Sequence, residues 1–370
     1  MNKSIYQKIL KDRLIDDDVI TEDSTPPGFL STGVVALNLA FGGKIDHGIP
    51  IGKIAMFAAP AQQGKSLVGI LVAKDAQEKG MFVVWVDGEY AFNFDVAQRI
   101  GMKTDKENFY LYQENQIEKV QSKIMKIVEG LSREERQKIL IVIDSWNSLI
   151  NVEAIEKSKD VDAKKDMNDT IKKNKLANYL LNTKTTVYVI NHVYDNVGGF
   201  GDPLRIPGGK RIYYNSQSVV LGRSKAKDEQ VINKEDVIVG SIISCRVDKS
   251  RYSKERSELC FRIKYNGGLD IFYGILDDAV AGGFVTKTET GYYFHAHDKD
   301  AKKWREKDLY CAEFWLPVFT ETKFREYLET QYTFTGTFDV STSNFYQKLE
   351  SAKPREAKEA PAETSKEQPK

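Results

Sequence analysis

Lys53-Ile-Ala-Met-Phe-Ala-Ala-Pro-Ala-Gln-Gln-Gly-Lys-Ser66 joins a short apolar run to a Gly-Lys-Ser turn. Leu67 to Val72 continue it as an apolar, helix-spaced run that Gly80 closes. Phosphate-binding loops place G-x-x-x-x-G-K-[ST] between a strand and a helix. The stretch fits at every defined position except the first, where Ala59 stands in place of glycine. The chemistry explains the residue types. Gly64 lets backbone N–H groups approach an anion at the positive end of a helix. Lys65 supplies a point charge to β- and γ-phosphates, and the Ser66 hydroxyl ligates Mg²⁺. Ala59, Pro60, Ala61, Gln62 and Gln63 form the turn around the phosphates. A chance Gly-Lys-Ser turn is the bland alternative, and the strand-to-helix context argues against it.

Three further runs, Met81-Phe-Val-Val-Trp-Val86, Ile139-Leu-Ile-Val-Ile143 and Thr186-Val-Tyr-Val-Ile190, also show little polar alternation. Strands buried on both faces have this pattern. The expected fold is therefore α/β, with a mostly parallel central sheet and helices on either side. Two runs end in acids. Asp144 follows Ile143, as in P-loop ATPases where a strand-end carboxylate sits beside Mg²⁺, although such an acid is also a common helix cap. Asp87-Gly-Glu89 lies at another strand's C-terminal edge, where open α/β sheets place their chemistry. Together these strand ends point to an ATPase core that takes ATP and Mg²⁺, with Ser66 and Asp144 as metal ligands.

The chain of 370 residues carries 54 Lys and Arg against 53 Asp and Glu, which excludes a globally basic nucleic-acid coat. Any DNA affinity must come from a local patch. No apolar stretch reaches the ~20 residues of a membrane span, and Met1 to Leu14 lacks a signal-peptide core. Cys245, Cys260 and Cys311 are far apart with no C-x-x-C spacing, against a disulfide scaffold or zinc site and for a cytoplasmic protein. Four zones follow. Residues 1–27 form a helical leader and linker, with Ile5, Ile9, Leu10 and Leu14 at helical spacing before an acidic run and Pro26-Pro27. Residues 28–285 are expected to form the ATPase core, in which any DNA-binding patch must lie. Residues 286–345 form a small α+β module whose aromatic residues read as its core, and 346–370 form a tail without apolar anchors, expected to be disordered. His295 and His297 have strand spacing without a further ligand and read as a surface hairpin.

The ordered series of phosphate loop, Val-Asp87-Gly-Glu89, Ile-Asp144-Ser, Val-Ile-Asn191-His192 and Pro207-Gly208-Gly209-Lys210 resembles RecA-type recombinases. Tyr265-Asn-Gly-Gly-Leu-Asp-Ile-Phe-Tyr-Gly274 looks like that family's late core. Lys303-Trp-Arg-Glu-Lys-Asp308 with Cys311-Ala-Glu-Phe-Trp315 is similar to the phage UvsX-type branch. The resemblance implies a RecA-like P-loop ATPase that forms a helical filament on single-stranded DNA and pairs it with double-stranded DNA. It implies that Glu89 is the general base acting on water, beside Lys65. His192 stands where cellular RecA has a glutamine that senses the γ-phosphate. Lys249 and Arg251 match basic residues that reach a neighbour's ATP; on the residues alone they read equally well as a solvated strand end. Val96 stands where cellular RecA has an aromatic residue near adenine. A phage single-strand-binding protein and a recombination mediator are implied partners, in the host cytoplasm if the chain is phage-encoded.

Between Pro203 and Lys227 lie Arg205, Lys210, Arg211, Arg223, Lys225 and Lys227 with no acid, a local patch suited to phosphate contacts. Gly198, Gly199 and Phe200 precede it in a flexible loop able to order on DNA and stack one ring, with Gly208 and Gly209 closing the segment. A solvated surface loop is the plainer reading of such composition. Asn151 to Thr170 would be the first DNA loop by resemblance. A site completed in trans requires head-to-tail contacts, for which the leader is the candidate element; an intramolecular helix is its alternative. A ring helicase or other motor of the same fold is the competing function.

Overall fold

The computed structural model describes residues 25–151, 167–195, 204–223, 230–232, 237–266, 268–298 and 302–334. A short antiparallel ribbon, β1 (Phe29–Leu30) with β2 (Ile49–Pro50), brackets helix α1 (Val35–Gly42). The apolar runs then become β3 (Ile54–Ala58), β4 (Phe82–Asp87), β6 (Ile139–Asp144) and β7 (Thr186–Asn191), with β5 (Phe109–Tyr112) at the edge. With β10 (Ser218–Arg223) they form a parallel array in the order β10-β3-β7-β6-β4-β5. Beyond β10 the sheet turns antiparallel through β12 (Ile238–Ser250), β13 (Glu258–Lys264) and β14 (Gly268–Leu269), with β11 (Gln230–Ile232) on β12.

The alternation of a strand explains why these runs are apolar throughout. Ala55, Phe57, Val83, Trp85, Val142, Tyr188 and Ile190 face one side, against α1 and α2 (Lys65–Glu78). Ile54, Met56, Val84, Val86, Ile141, Ile143, Val187 and Val189 face the other. They meet α4 (Ile117–Val128), α6 (Met167–Thr183) and Ile212 of α7 (Lys210–Asn215). Two short helices, α3 (Phe94–Ile100) and α5 (Arg133–Gln137), complete the layers. Close approach of α2 to the sheet depends on Gly69. A Cβ there would lie 2.9 Å from the Trp85 ring and 3.3 Å from Ile190 and Tyr188. Because the parallel strands run the same way, the ends of β3, β4, β6 and β7 converge on one edge, and the site is built there.

After β14 come α8 (Leu276–Ala281), an antiparallel sheet of β15 (Val285–Lys287), β16 (Tyr292–His295) and β17 (Trp304–Arg305), then α9 (Ala312–Thr320) and α10 (Phe324–Tyr332). Phe314, Trp315, Phe324 and Leu328 are fully buried, and Tyr293 and Trp304 nearly so. They belong to the same apolar cluster as Leu30, Phe41 and Phe57. Trp315 stacks on Phe272 at 6.1 Å and on Phe324 at 5.9 Å between ring centroids, which ties α9 to the strand region before it. The two histidines do more than decorate a hairpin: His295 Nε2 lies 2.8 Å from the Phe314 carbonyl, and its ring stacks on His297. No helix among the described residues is long and apolar enough to cross a membrane.

Trp315→Ala should lower stability by about 3–5 kcal/mol through the cavity it leaves. With one shared cluster, denaturant unfolding followed by near-ultraviolet circular dichroism and by tryptophan fluorescence should shift together. A separate early transition restricted to the C-terminal elements would show that they hold a core of their own.

Candidate functional site

The end of β3 is covered by the sheet around it: Ala59 is fully buried and its N–H donates to Asn191 O at 3.2 Å, which fixes the loop to β7. The loop then turns through left-handed conformations at Gln62 (φ 61) and at Gly64, the N-cap of α2 (φ 69). Lys65 opens the helix with its side chain folded back, Nζ donating to Pro60 O at 2.6 Å. Burial holds the Lys65 ammonium below the usual lysine range, while the Glu89 and Asp144 carboxylates pull the other way. Ser66 Oγ donates to Asp144 Oδ2 at 2.7 Å, joining α2 to the end of β6. Burial pushes the Asp144 carboxyl up to about 6, opposed by the Ser66 hydroxyl and reinforced by the charges of Glu89 and Asp87.

The residues after β4 divide the labour of its two acids. Asp87, 1% exposed, turns away from the cleft and accepts from Ala91 N (3.1 Å), Phe92 N (3.0 Å) and Gln113 Nε2 (3.1 Å). That bracket throws Tyr90 into a left-handed conformation (φ 58) and turns Glu89 into the cleft. Asn93 caps α3, so Glu89 is not needed for capping. Glu89 Oε1 accepts from the Ser145 hydroxyl and lies 2.8 Å from His192 Nε2. Burial alone would raise the Glu89 carboxyl, but these hydrogen bonds and the nearby positive charge outweigh it and hold the group below the usual range. Residues 61–67 with Glu89, Asp144 and His192 line one cleft of about 190 Å³. A buried cation, an acid–hydroxyl pair and an open helix N-terminus are the donor set that a nucleotide triphosphate with Mg²⁺ requires, so the residues present fit that pair.

His192 leads through Val193 into β8 (Tyr194–Asp195), which pairs antiparallel with β9 (Leu204–Arg205). Arg205, Lys210 and Arg211 are all exposed, the last two opening α7. Gly208 and Gly209 precede that helix with φ of 91° and 92°. The Gly208 carbonyl accepts from Trp146 Nε1 at 2.8 Å, and Asn191 Nδ2 donates to Pro207 O at 3.0 Å. The basic segment is thus pinned to the same strand ends as the cleft. Gly198, Gly199, Phe200, Lys225 and Lys227, together with residues 1–24 of the leader, residues 152–166 and the tail, lie outside the described residues.

Lys249 and Arg251 do not line the cleft of their own chain. Lys249 Nζ donates to the carbonyls of Tyr213 (3.1 Å), Tyr214 (2.7 Å) and Ser216 (2.8 Å), closing the C-terminal end of α7. Burial, and then the charge of Arg251, keep its ammonium below the ordinary lysine range. Arg251 is exposed on the turn that follows. The sequence singled out neither Ser145, Trp146 nor Asn191 as partners. Each ends a strand already marked by an acid or histidine or lies within two residues of its end, which is the one signal that points to them.

The RecA N-terminal domain family matches residues 20–270. The chain belongs to the RecA family. The C-terminal domain of the bacteriophage T4 recombination and repair protein matches residues 272–328, which sets the chain in the UvsX-type branch of RecA-type recombinases. The recombination and repair protein of Enterobacteria phage T4 is 25% identical over 344 residues, covering 87% of this chain and 85% of that protein. Protein RecA of Ectopseudomonas oleovorans is 28% identical over 301 residues (80% and 79% covered), and that of Thermus thermophilus 28% over 271 residues (72% and 75%).

Gly208→Ala tests how firmly the cleft and the basic segment are joined. Its Cβ would fall 2.6 Å from Trp146 Cδ1, at a φ that L-residues rarely adopt. A loss of about 1–3 kcal/mol in denaturant unfolding is expected. An unchanged midpoint would mean that the segment relaxes without disturbing Trp146.

Proposed function

We propose that this RecA-family recombinase hydrolyses ATP at subunit boundaries, forms a helical filament on single-stranded DNA, and promotes its pairing and exchange with double-stranded DNA. One observation carries the reading: Glu89 and His192 share a hydrogen bond inside the phosphate-loop cleft, and His192 is two residues from the hairpin that bears the basic segment. The N–H groups at the start of α2 and the Lys65 ammonium receive the phosphates. Ser66 and Asp144 would hold Mg²⁺, which would supply positive charge to the phosphates. Ser145 and His192 both act on Glu89 Oε1, so Oε2 stays available to the attacking water. A carboxylate held below its usual range is fully ionised at neutral pH and serves chiefly to orient and polarise that water.

A γ-phosphate in the cleft competes for His192, and the change passes through Val193 to β8 and its loop. Lys210, Arg211 and Arg205 then meet DNA phosphates without reading sequence. Arg251 supplies charge to the neighbour's ATP, in the manner of an arginine finger, and Lys249 joins it only by giving up the three carbonyls at the end of α7. Both family matches favour a recombinase over the ring helicase. The phage relationship suggests work in the host cytoplasm beside a single-strand-binding protein and a loading mediator.

Glu89→Ala should reduce DNA-stimulated ATP hydrolysis by about 100-fold or more, measured as phosphate release on single-stranded DNA. Turnover near wild type would remove Glu89 from the mechanism. Neutralising Lys210 and Arg211 together should weaken single-strand binding and reduce the slope of log affinity against log salt by about 1.4, two phosphate contacts' worth. An unchanged slope would place the DNA elsewhere.

A further inference from the structure

The turn between β12 and β13 that presents Arg251 is gripped from both sides. Arg251 N donates to Gln217 O at 3.1 Å, just beyond the end of α7. Ser250 Oγ accepts from Tyr252 N (3.0 Å) and Ser253 N (2.9 Å), folding the chain back on itself. Ser253, 1% exposed, donates to Ala40 O of α1 at 2.7 Å and forms an antiparallel bridge with Thr333. From the end of α10, Tyr332 O accepts from Lys254 N at 2.8 Å, and Phe334 N donates to Tyr252 O at 3.2 Å. Two side chains complete the grip: Lys254 Nζ donates to Thr330 O (2.9 Å), and Thr333 Oγ1 donates to Gly43 O (2.9 Å). The Tyr252 ring packs edge-on against Phe29 with centroids 5.2 Å apart.

We propose that Lys254 and Thr330–Phe334 form a positioning clamp for Arg251, so that the C-terminal elements set the cation one protomer offers to its neighbour's ATP. The proposal rests on the reading of Arg251 as a residue acting in trans. Stabilising charge on a transferring phosphoryl group requires a donor within hydrogen-bond reach, and a donor on a free turn is seldom there. The clamp fixes the backbone on either side of Arg251 and leaves its side chain exposed. The elements after β14, which contribute no residue to the cleft, thereby act on hydrolysis through the next subunit. Lys254 and Thr333 touch no reacting atom and are positioning residues.

The test uses the full chain with single-stranded DNA and ATP. Lys254→Ala combined with Thr333→Val removes the two side-chain hydrogen bonds that tie the turn and the end of α10 together and to Gly43. DNA-stimulated turnover should fall about tenfold, while nucleotide affinity of the unassembled chain stays at the wild-type value. Glu89→Ala retains its Arg251 turn and lacks its own base, so the two variants are complementary. In an equimolar mixture about a quarter of the boundaries of a head-to-tail assembly pair an intact cleft with an intact turn. Activity should then rise to about that fraction of wild type, above either variant alone. Arg251→Ala mixed with Glu89→Ala serves as the reference. Rescue in both mixtures supports the clamp. Rescue of the reference without the clamp variant overturns it, because the lost activity was then damage within the protomer. Failure of both mixtures removes the trans role of Arg251 itself, and a clamp variant fully active alone overturns the proposal directly.

Discussion

Lys65, Asp144 and Glu89 draw three charges into one half-buried edge of an otherwise apolar sheet, and the rest of the site is arranged around keeping them there. Each would be costly alone in such surroundings. Together they are tolerated because every one has a partner: Pro60 O for the ammonium, the Ser66 hydroxyl for Asp144, Ser145 and His192 for Glu89. Asp144 shows the residual strain of the arrangement, since burial and two neighbouring acids lift it to about 6. A divalent cation would relieve that tension, so the charge balance suits a metal-bound nucleotide better than a neutral ligand.

The parallel sheet converts this local balance into geometry. Because β3, β4, β6 and β7 end on the same edge, residues separated by more than a hundred positions meet within hydrogen-bond distance, as Glu89 and His192 do. The hairpin of β8 and β9 and the start of α7 lie in the next stretch of chain. In the proposed mechanism a shift of the strand ends is therefore inherited by the basic segment. The carbonyl of Gly208 on the Trp146 indole and the carbonyl of Pro207 on Asn191 are the fixed points of that inheritance.

Much of this was legible in the sequence, for physical reasons that differ from residue to residue. The phosphate loop is read from Gly64, Lys65 and Ser66 because anion binding admits few residue types at fixed spacing. The parallel sheet is read from its apolar runs because burial on both faces leaves no polar alternation. The different duties of Asp87 and Glu89 were legible only through the family resemblance and not from the residues themselves. Two acids on either side of Gly88 look alike until Ala91, Phe92 and Gln113 claim one of them. Nor could the sequence place the Lys249 ammonium on the carbonyls ending α7, since that contact spans more than thirty residues and has no local pattern. The grip of α10 on the Arg251 turn is invisible for the same reason: it is made largely by backbone groups, which every residue carries.

The missing side chain at Gly69 has a wider meaning than close packing. It sets the altitude at which α2 rides above Trp85, Tyr188 and Ile190. The reach of Ser66 to Asp144 depends on that altitude, because the short Ser66 side chain is carried by the first turn of the helix. One hydrogen atom in place of a methyl group, a full turn along from the reacting end, thus calibrates the depth of the nucleotide cradle.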